Sequence, residues 1–405
     1  MASIMPVSST QHRAGASKLV YHQPMSPSQS QKKTEEQHSR PALREPRFML
    51  SDLFDELIWP RVLRAPALAL SPNRMLSGCV AVFLISLVLR IYDLLRGASS
   101  DDALNTSRSV SNSLGQIGDQ TLDGIISLNP IAFSSAATNT ATLVRDSVMH
   151  NPLLSILLGI PMVAIIALAG GAISRSAAFE FAQGRFASRE ETLYFSLQRA
   201  RQFVTAVLGP VAFSIVVLMI IALGGLLLSV PIVDMLGAAF YGIGLALGII
   251  ATAVLMLHVV ASPMIIPALA IEGTDAFDAI QRSYAYVIGR PLRYLTYLVL
   301  LTLLGVLAVT IFALVARQSV EWTNWAATFL ANDATDRALT GNGELGATKK
   351  LAHNTIAFWR SIIDIIVAGY IVSVFFTSAS LLYLSVRRIC DGQGISEIWE
   401  PVNHG

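Results

Sequence analysis

The chain is 405 residues long, 53% hydrophobic and only 14% charged, with a mean hydropathy of +0.56. Soluble domains carry about 25% charged residues, so this chain lacks the polar surface of one. The net charge of +2 is too small to draw nucleic acid, and Cys79 in an apolar run and Cys390 beside an arginine pair match neither a disulfide framework nor a metal knuckle.

Residues 1–48 are rich in Ser, Gln, Pro and Lys and bury too little apolar area to offset the entropy of ordering, which predicts a disordered tail. They hold no signal-peptide core followed by a small-residue cleavage site, so the tail is expected to stay attached and cytosolic. In 49–74, Leu50, Leu53, Phe54, Leu57 and Ile58 form an i, i+3, i+4 stripe ended by Trp59-Pro60 and followed by Arg61, Arg64 and Arg74. This is a short amphipathic segment, lying either at the headgroups or against the protein's own cytosolic face.

Apolar runs of spanning length follow at about 75–96, 153–173, 203–230, 236–260, 291–317 and 356–386. The predicted fold is all-α: a polytopic helical membrane protein of about six transmembrane helices over 75–390, with two cytosolic amphipathic elbow helices and a cytosolic tail, 391–405. Basic residues concentrate before the first span, in 174–202, in 261–290 and at Arg387-Arg388, while 97–152 holds few and 231–235 none. The positive-inside bias therefore places both termini in the cytosol, and Arg317, Arg337, Lys349 and Lys350 in the long 318–355 loop run against it without deciding orientation.

Leu197-Gln-Arg-Ala-Arg-Gln-Phe-Val204 is similar to Ile280-Gln-Arg-Ser-Tyr-Ala-Tyr-Val287, and each follows an acidic patch, Glu190-Glu191 or Asp275 and Asp278. This pairing points either to two helix–elbow–helix units related by an axis along the membrane normal or to convergence of two amphipathic segments under one constraint.

The stretch Ser262-Pro-Met-Ile-Ile-Pro-Ala-Leu-Ala-Ile-Glu272-Gly, with Asp275-Ala-Phe-Asp-Ala-Ile-Gln-Arg-Ser-Tyr-Ala-Tyr-Val287 after it, resembles a known elbow. That elbow belongs to the bacterial membrane domain fused to glycerophosphoryl diester phosphodiesterases and to related stand-alone polytopic membrane proteins. Gly170-Gly-Ala-Ile-Ser-Arg-Ser-Ala-Ala-Phe-Glu180 and Tyr383-Leu-Ser-Val-Arg-Arg-Ile-Cys-Asp391-Gly resemble stretches of the stand-alone group. The resemblance covers most of the chain from about residue 150 onward and implies an all-helical bundle in a bacterial inner membrane. It implies no phosphodiesterase activity, because the soluble catalytic barrel has no counterpart in this sequence.

Catalytic signatures are missing: there is no phosphate loop, no H-E-x-x-H, no G-x-S-x-G and no C-x-x-C. Gly244 and Gly248 lie inside a span and read as a small-residue packing face. His258, near the cytosolic end of the fourth span, reads as an interfacial or capping residue, with no second ligand placed to join it. Neither a metal nor a cofactor is expected.

Two groups of polar residues stand out. Arg90 and Asp93 in the first span and Arg360 and Asp364 in the sixth carry charge where it costs about 2.5–3.5 kcal/mol unless paired or hydrated. They read either as ion pairs, Arg90–Asp93, Arg360–Asp364 or Arg90–Asp364, or as an ion site on a hydrated path. On the cytosolic side Arg175, Glu180, Glu272, Asp278 and Arg282 are expected to meet if the elbows pack together, forming either a charge network or a binding site for a partner or lipid headgroup. The expected partners are the bilayer, anionic lipid headgroups and a protein at the cytosolic face. The expected role is a non-enzymatic organising or accessory membrane protein; the alternative is a small transporter or permease using Asp364 and Arg90.

Overall fold

A computed structural model describes residues 62–95, 152–227, 234–329 and 347–400, all within one compact unit, Ile58–Gly405. The tail expected over 1–48 and the amphipathic stripe at Leu50–Ile58 lie outside the described residues. What is described is helical: α1 (Ala65–Ala69), α2 (Pro72–Leu95), α3 (Pro152–Gln183), α4 (Arg189–Gln198), α5 (Ala200–Leu227), α6 (Asp234–Glu272), α7 (Ala276–Gly289), α8 (Pro291–Phe329) and α9 (Ala347–Asp391). Of these, α2, α3, α5, α6, α8 and α9 are the six long and apolar enough to cross a bilayer. The chain is an all-α polytopic membrane protein.

Local sequence sets the breaks. Pro72, Pro152 and Pro291 stand at the first helical position, where a missing N–H costs nothing. The helices α3, α6 and α9 each end on a glycine with positive φ, Gly184, Gly273 and Gly392, whose N–H returns to the carbonyl four residues earlier, that of Glu180, Leu269 or Arg388. A side-chain cap then restarts the chain. Ser188 Oγ accepts the Glu191 N–H at 3.1 Å to open α4, and Asp275 Oδ1 accepts the Asp278 N–H at 2.9 Å to open α7. The units α3–α4–α5 and α6–α7–α8 thus share one plan of helix, glycine cap, polar cap, elbow, helix. The sequence match between Leu197–Val204 and Ile280–Val287 does not coincide with it: the first stretch straddles the end of α4 and the start of α5, whereas the second lies wholly inside α7.

The helices outrun the apolar runs. What was expected as a loop over 174–202 begins as helix, with Arg175 and Glu180 inside α3, and α6 continues through Pro263 and Pro267 to Glu272. His258 is therefore mid-helix, its Nε2 3.0 Å from the Val207 carbonyl and its ring against Tyr284. At about 1.5 Å per residue, the 39 residues of α8 and the 45 of α9 reach roughly 58 and 68 Å, well beyond a hydrocarbon core of about 30 Å. Trp322, Trp325 and Trp359 mark where they leave it, exposed together at the end away from the elbows.

Packing is tightest at the elbow end, where α9 is clasped by α1, α2, α3, α6 and α8. Small residues permit it. A Cβ on Gly78 would overlap the Gly369 carbonyl, one on Gly369 would fall 2.5 Å from Cys79 Sγ, and one on Gly171 would fall 2.6 Å from the Phe203 ring. Gly244 and Gly248 face Ile221 of α5 as a looser small-residue seam. The outer faces of α5, α6 and α8, among them Leu218, Ile249 and Leu307, are exposed, as a lipid-facing surface must be.

Candidate functional site

Charge inside an apolar bundle survives only where each charged atom finds a partner. At the elbow end Arg74, Arg175 and Arg387 are the largest fully buried side chains, and each ends on oxygen atoms of the chain itself.

Arg74, two residues into α2, bridges α1 and α3. It donates to the Leu68 carbonyl, which also takes the Ser71 N–H in the turn after α1, and to Glu180 Oε2 at 2.6 Å. Arg175 reaches the far end of α6, donating to the Ala270 carbonyl at 2.9 Å and to the Trp399 carbonyl at 3.1 Å. Its guanidinium lies over the Phe195 ring, 3.9 Å from the centroid, which covers an Nε that has no hydrogen-bond partner. Arg387 donates to Glu272 Oε1 at 2.5 Å and to the Gly394 and Glu397 carbonyls at 3.0 and 2.7 Å. A guanidinium presents five donors in a rigid fork, which suits it to gathering several carbonyls that a helix end leaves open.

Glu272, the last residue of α6, is the acceptor around which this end closes. Its carboxylate takes Arg387, the Tyr383 hydroxyl at 3.1 Å and, at 3.7 Å, Arg282 of α7. Burial, the largest single influence, works against the Arg282 charge, but Glu272, Tyr383, Tyr286 and Asp278 together outweigh it and raise the arginine's pKa above its usual value. Beside this cluster the Tyr286 hydroxyl donates to Asp391 Oδ2, and burial followed by that carboxylate pushes the Tyr286 pKa well above its ordinary value. Among the described residues no group of His, Cys, Asp and Glu is arranged to hold a metal ion.

The residues after α9, expected as a free tail, fold back as a strap. The Trp399 N–H donates to the Ile271 carbonyl at 2.9 Å, so the strap seals the end of α6. Its indole fills the space that a Cβ on Gly273 would occupy, 2.5 Å from the ring, and packs on Phe195 of α4. Arg199, between α4 and α5, lies 4.7 Å over that indole and donates to the Gly273 and Thr274 carbonyls. Burial lowers its pKa from the usual arginine value. Gln183 holds the Ser396 carbonyl, and Arg185 stands 3.8 Å from Glu400.

Of the five elbow residues singled out in the sequence, Glu272 and Arg282 do meet. Arg175 and Glu180 belong to the same end but find other partners, carbonyls and Arg74 in place of each other. Asp278 gives its N–H to the α7 cap, and its carboxylate is in no ion pair among the described residues. The second group is not assembled as expected. Arg360 donates to Asn324 Oδ1 of α8 at 3.0 Å instead of to Asp364. Asp364 and Arg90 are exposed, neither is in an ion pair among the described residues, and the side chain of Asp93 lies outside them. The partner within reach gives the reason for Arg360: α8 brings Asn324 to it across the helix interface, while Asp364, about 35 Å from Arg387 along α9, lies toward the end that carries Trp359. The join between first and last spans is made by Gly78 against Gly369, and Ser373 Oγ, donating to the Ala69 carbonyl at 2.7 Å, ties the last span to α1 beside it.

No family model, curated protein or solved structure matches the chain.

Proposed function

We propose that this chain is a non-enzymatic integral membrane protein, an organising or accessory subunit of a bacterial inner membrane, whose elbow end faces the cytosol and docks a protein partner. The observation carrying this reading is the fate of the buried charges. Arg74, Arg175, Arg387 and Glu272 are all spent on the chain's own oxygens and cations, an arrangement that fixes a shape and, among the described residues, leaves no nucleophile, base and oxyanion donor converging there on a substrate. On that rigid frame α4, α7 and their entries expose Phe186, Tyr194, Leu197, Phe277 and Ile288 beside Arg185, Arg189 and Arg290. Orientation is supported by the arginines gathered at the same end, and the resemblance to a membrane domain that accompanies a separate catalytic barrel fits a supporting role.

The test is a photo-crosslinking residue placed at Phe277 in native membranes, with one at Leu314 on the lipid-facing side of α8 as control. One discrete polypeptide adduct at 277 and none at 314 is the expected result; lipid adducts alone at both positions contradict docking.

A small transporter is the second reading, favoured by the shared plan of α3–α4–α5 and α6–α7–α8. It requires solute flux in proteoliposomes that Asp364→Asn abolishes.

A further inference from the structure

A hydroxyl inside hydrocarbon needs an acceptor, and within a helix it finds one in the carbonyl a turn earlier. Thr296, Ser319 and Thr323 of α8 and Ser380 of α9 all donate in this way, at 2.7–2.8 Å. Thr302 of α8 and Ser378 of α9 do not. Among the described residues neither hydroxyl has a hydrogen-bond partner, and neither is shut away as the neighbouring Thr377 hydroxyl is. Both residues line one groove of about 490 Å³ between the two helices, whose other walls are almost wholly apolar.

Register brings the two hydroxyls level. Gly305 faces Val374, whose Cγ1 lies 3.1 Å from where a Cβ on the glycine would stand, and the helices run in opposite directions, Phe312 meeting Tyr370 further out. Thr302 is about 5 Å toward the elbows from Gly305 and Ser378 about 6 Å from Val374, so they stand on opposite walls at one depth. That depth is about 16 Å from Pro291, where α8 begins, half-way through a core of about 30 Å. Phe375, 51% exposed, adds an aromatic ring to the same groove.

Two donors without acceptors at mid-bilayer call for a ligand that carries its own oxygens there. Phospholipid ester and phosphate oxygens lie at the interface, about 15 Å away, and cannot serve. A prenyl quinone does. Its two carbonyls on opposite edges of a flat ring answer two donors on opposite walls, and the ring offers a face to Phe375. Its tail suits a groove that follows α8 from Leu298 to Thr310, about 18 Å. An apolar cavity of this volume with a few placed polar groups is the usual form of a small-molecule site.

We propose that this groove binds one prenyl quinone, its carbonyl oxygens accepting hydrogen bonds from Thr302 and Ser378. The role assigned is binding alone, and it is independent of the docking role.

The full chain in detergent, titrated separately with a two-isoprene ubiquinone and with the same tail on a plain benzene ring, and read by native mass spectrometry, tests this. Each hydrogen bond contributes about fivefold, so one quinone should be retained about 25-fold more strongly than the hydrocarbon. Thr302→Val and Ser378→Ala, which remove a hydroxyl with little change of volume, should each weaken quinone retention about fivefold at an unchanged melting temperature. T302V/S378A should level the two ligands, and Thr302→Ser should retain the quinone as the wild type does. Equal retention of quinone and hydrocarbon by the wild type would make the groove a slot for any apolar chain and overturn the proposal. Quinone retention untouched in T302V/S378A would overturn it as well.

Discussion

Trp399 and Gly273 form a pair whose energetics follow from their geometry. A tryptophan buries up to about 250 Å², and Trp399 is 39% exposed, so roughly 150 Å² is covered, worth about 4 kcal/mol at about 25 cal/mol per Å². That is a ceiling. Once the indole is removed the strap 392–400 detaches and regains backbone entropy of about 1 kcal/mol or more per freed residue, so Trp399→Ala should cost about 2 kcal/mol. Gly273→Ala forces an L side chain into φ +60°, which costs about 1 kcal/mol, and drives its Cβ to 2.5 Å from the indole. The ring must leave, so the single change should cost about 3 kcal/mol. In the double variant the clash no longer exists, and the total should stay near 3 kcal/mol instead of reaching 5. Thermal unfolding in nanodiscs measures the cycle, and carboxypeptidase digestion reports strap release in each variant. Additive losses, or a Gly273→Ala protein with its C-terminal end still protected, would refute the packing described.

Other consequences are equally direct. Gly78→Val places a side chain in the Gly369 backbone, which cannot retreat, so the α2–α9 crossing should be lost at about 3 kcal/mol or more; cysteine cross-linking between neighbouring positions on the two helices would report it. Tyr286 holds its proton more tightly folded than unfolded, where its pKa is about 10. The stability it contributes is therefore whole below about pH 10 and declines above it, and Tyr286→Phe should flatten that alkaline decline in a melting series. Asp364→Asn should leave stability within about 0.5 kcal/mol, as for an exposed site without an ion pair among the described residues; a large loss would mean that a partner holds it.

The membrane fold was legible because twenty apolar residues in a row have few other uses, and the elbows because charge reappears between such runs. Helix ends were harder to read. A hydropathy window stops at Arg175, yet the helix runs on, because a guanidinium that ends on the open carbonyls of a neighbouring helix need not leave the bundle. In the sequence Arg74 and Arg387 count only toward orientation, and nothing in the spacing shows that Leu68 or Gly394 will turn a carbonyl toward them. The strap had a visible signal: Ile395, Ile398 and Trp399 are an odd apolar cluster for a tail of glycine and polar residues. Arg360 and Asp364 stand one turn apart and read as a pair, and the sequence carries no sign that α8 will bring Asn324 to the guanidinium instead. Gly244 and Gly248 were recognised as a seam because glycines four apart share a face, whereas Gly78 and Gly369 stand alone in their helices and only the fold brings them together.

The central claim is that the buried charges at the elbow end are a structural lock. A double-mutant cycle on Glu272 and Arg387 tests it most directly, read as unfolding free energy in bilayers. Glu272→Gln strands a 1%-exposed guanidinium and should cost about 3 kcal/mol. Arg387→Met should cost less, about 2 kcal/mol, because Arg282 still faces the carboxylate at 3.7 Å. The account expects the double variant to lose no more than Glu272→Gln alone, a coupling of about 2 kcal/mol between the two sites. Single losses that add, or a Glu272→Gln protein as stable as the wild type, would contradict it and return Glu272 to the class of groups held ready for chemistry.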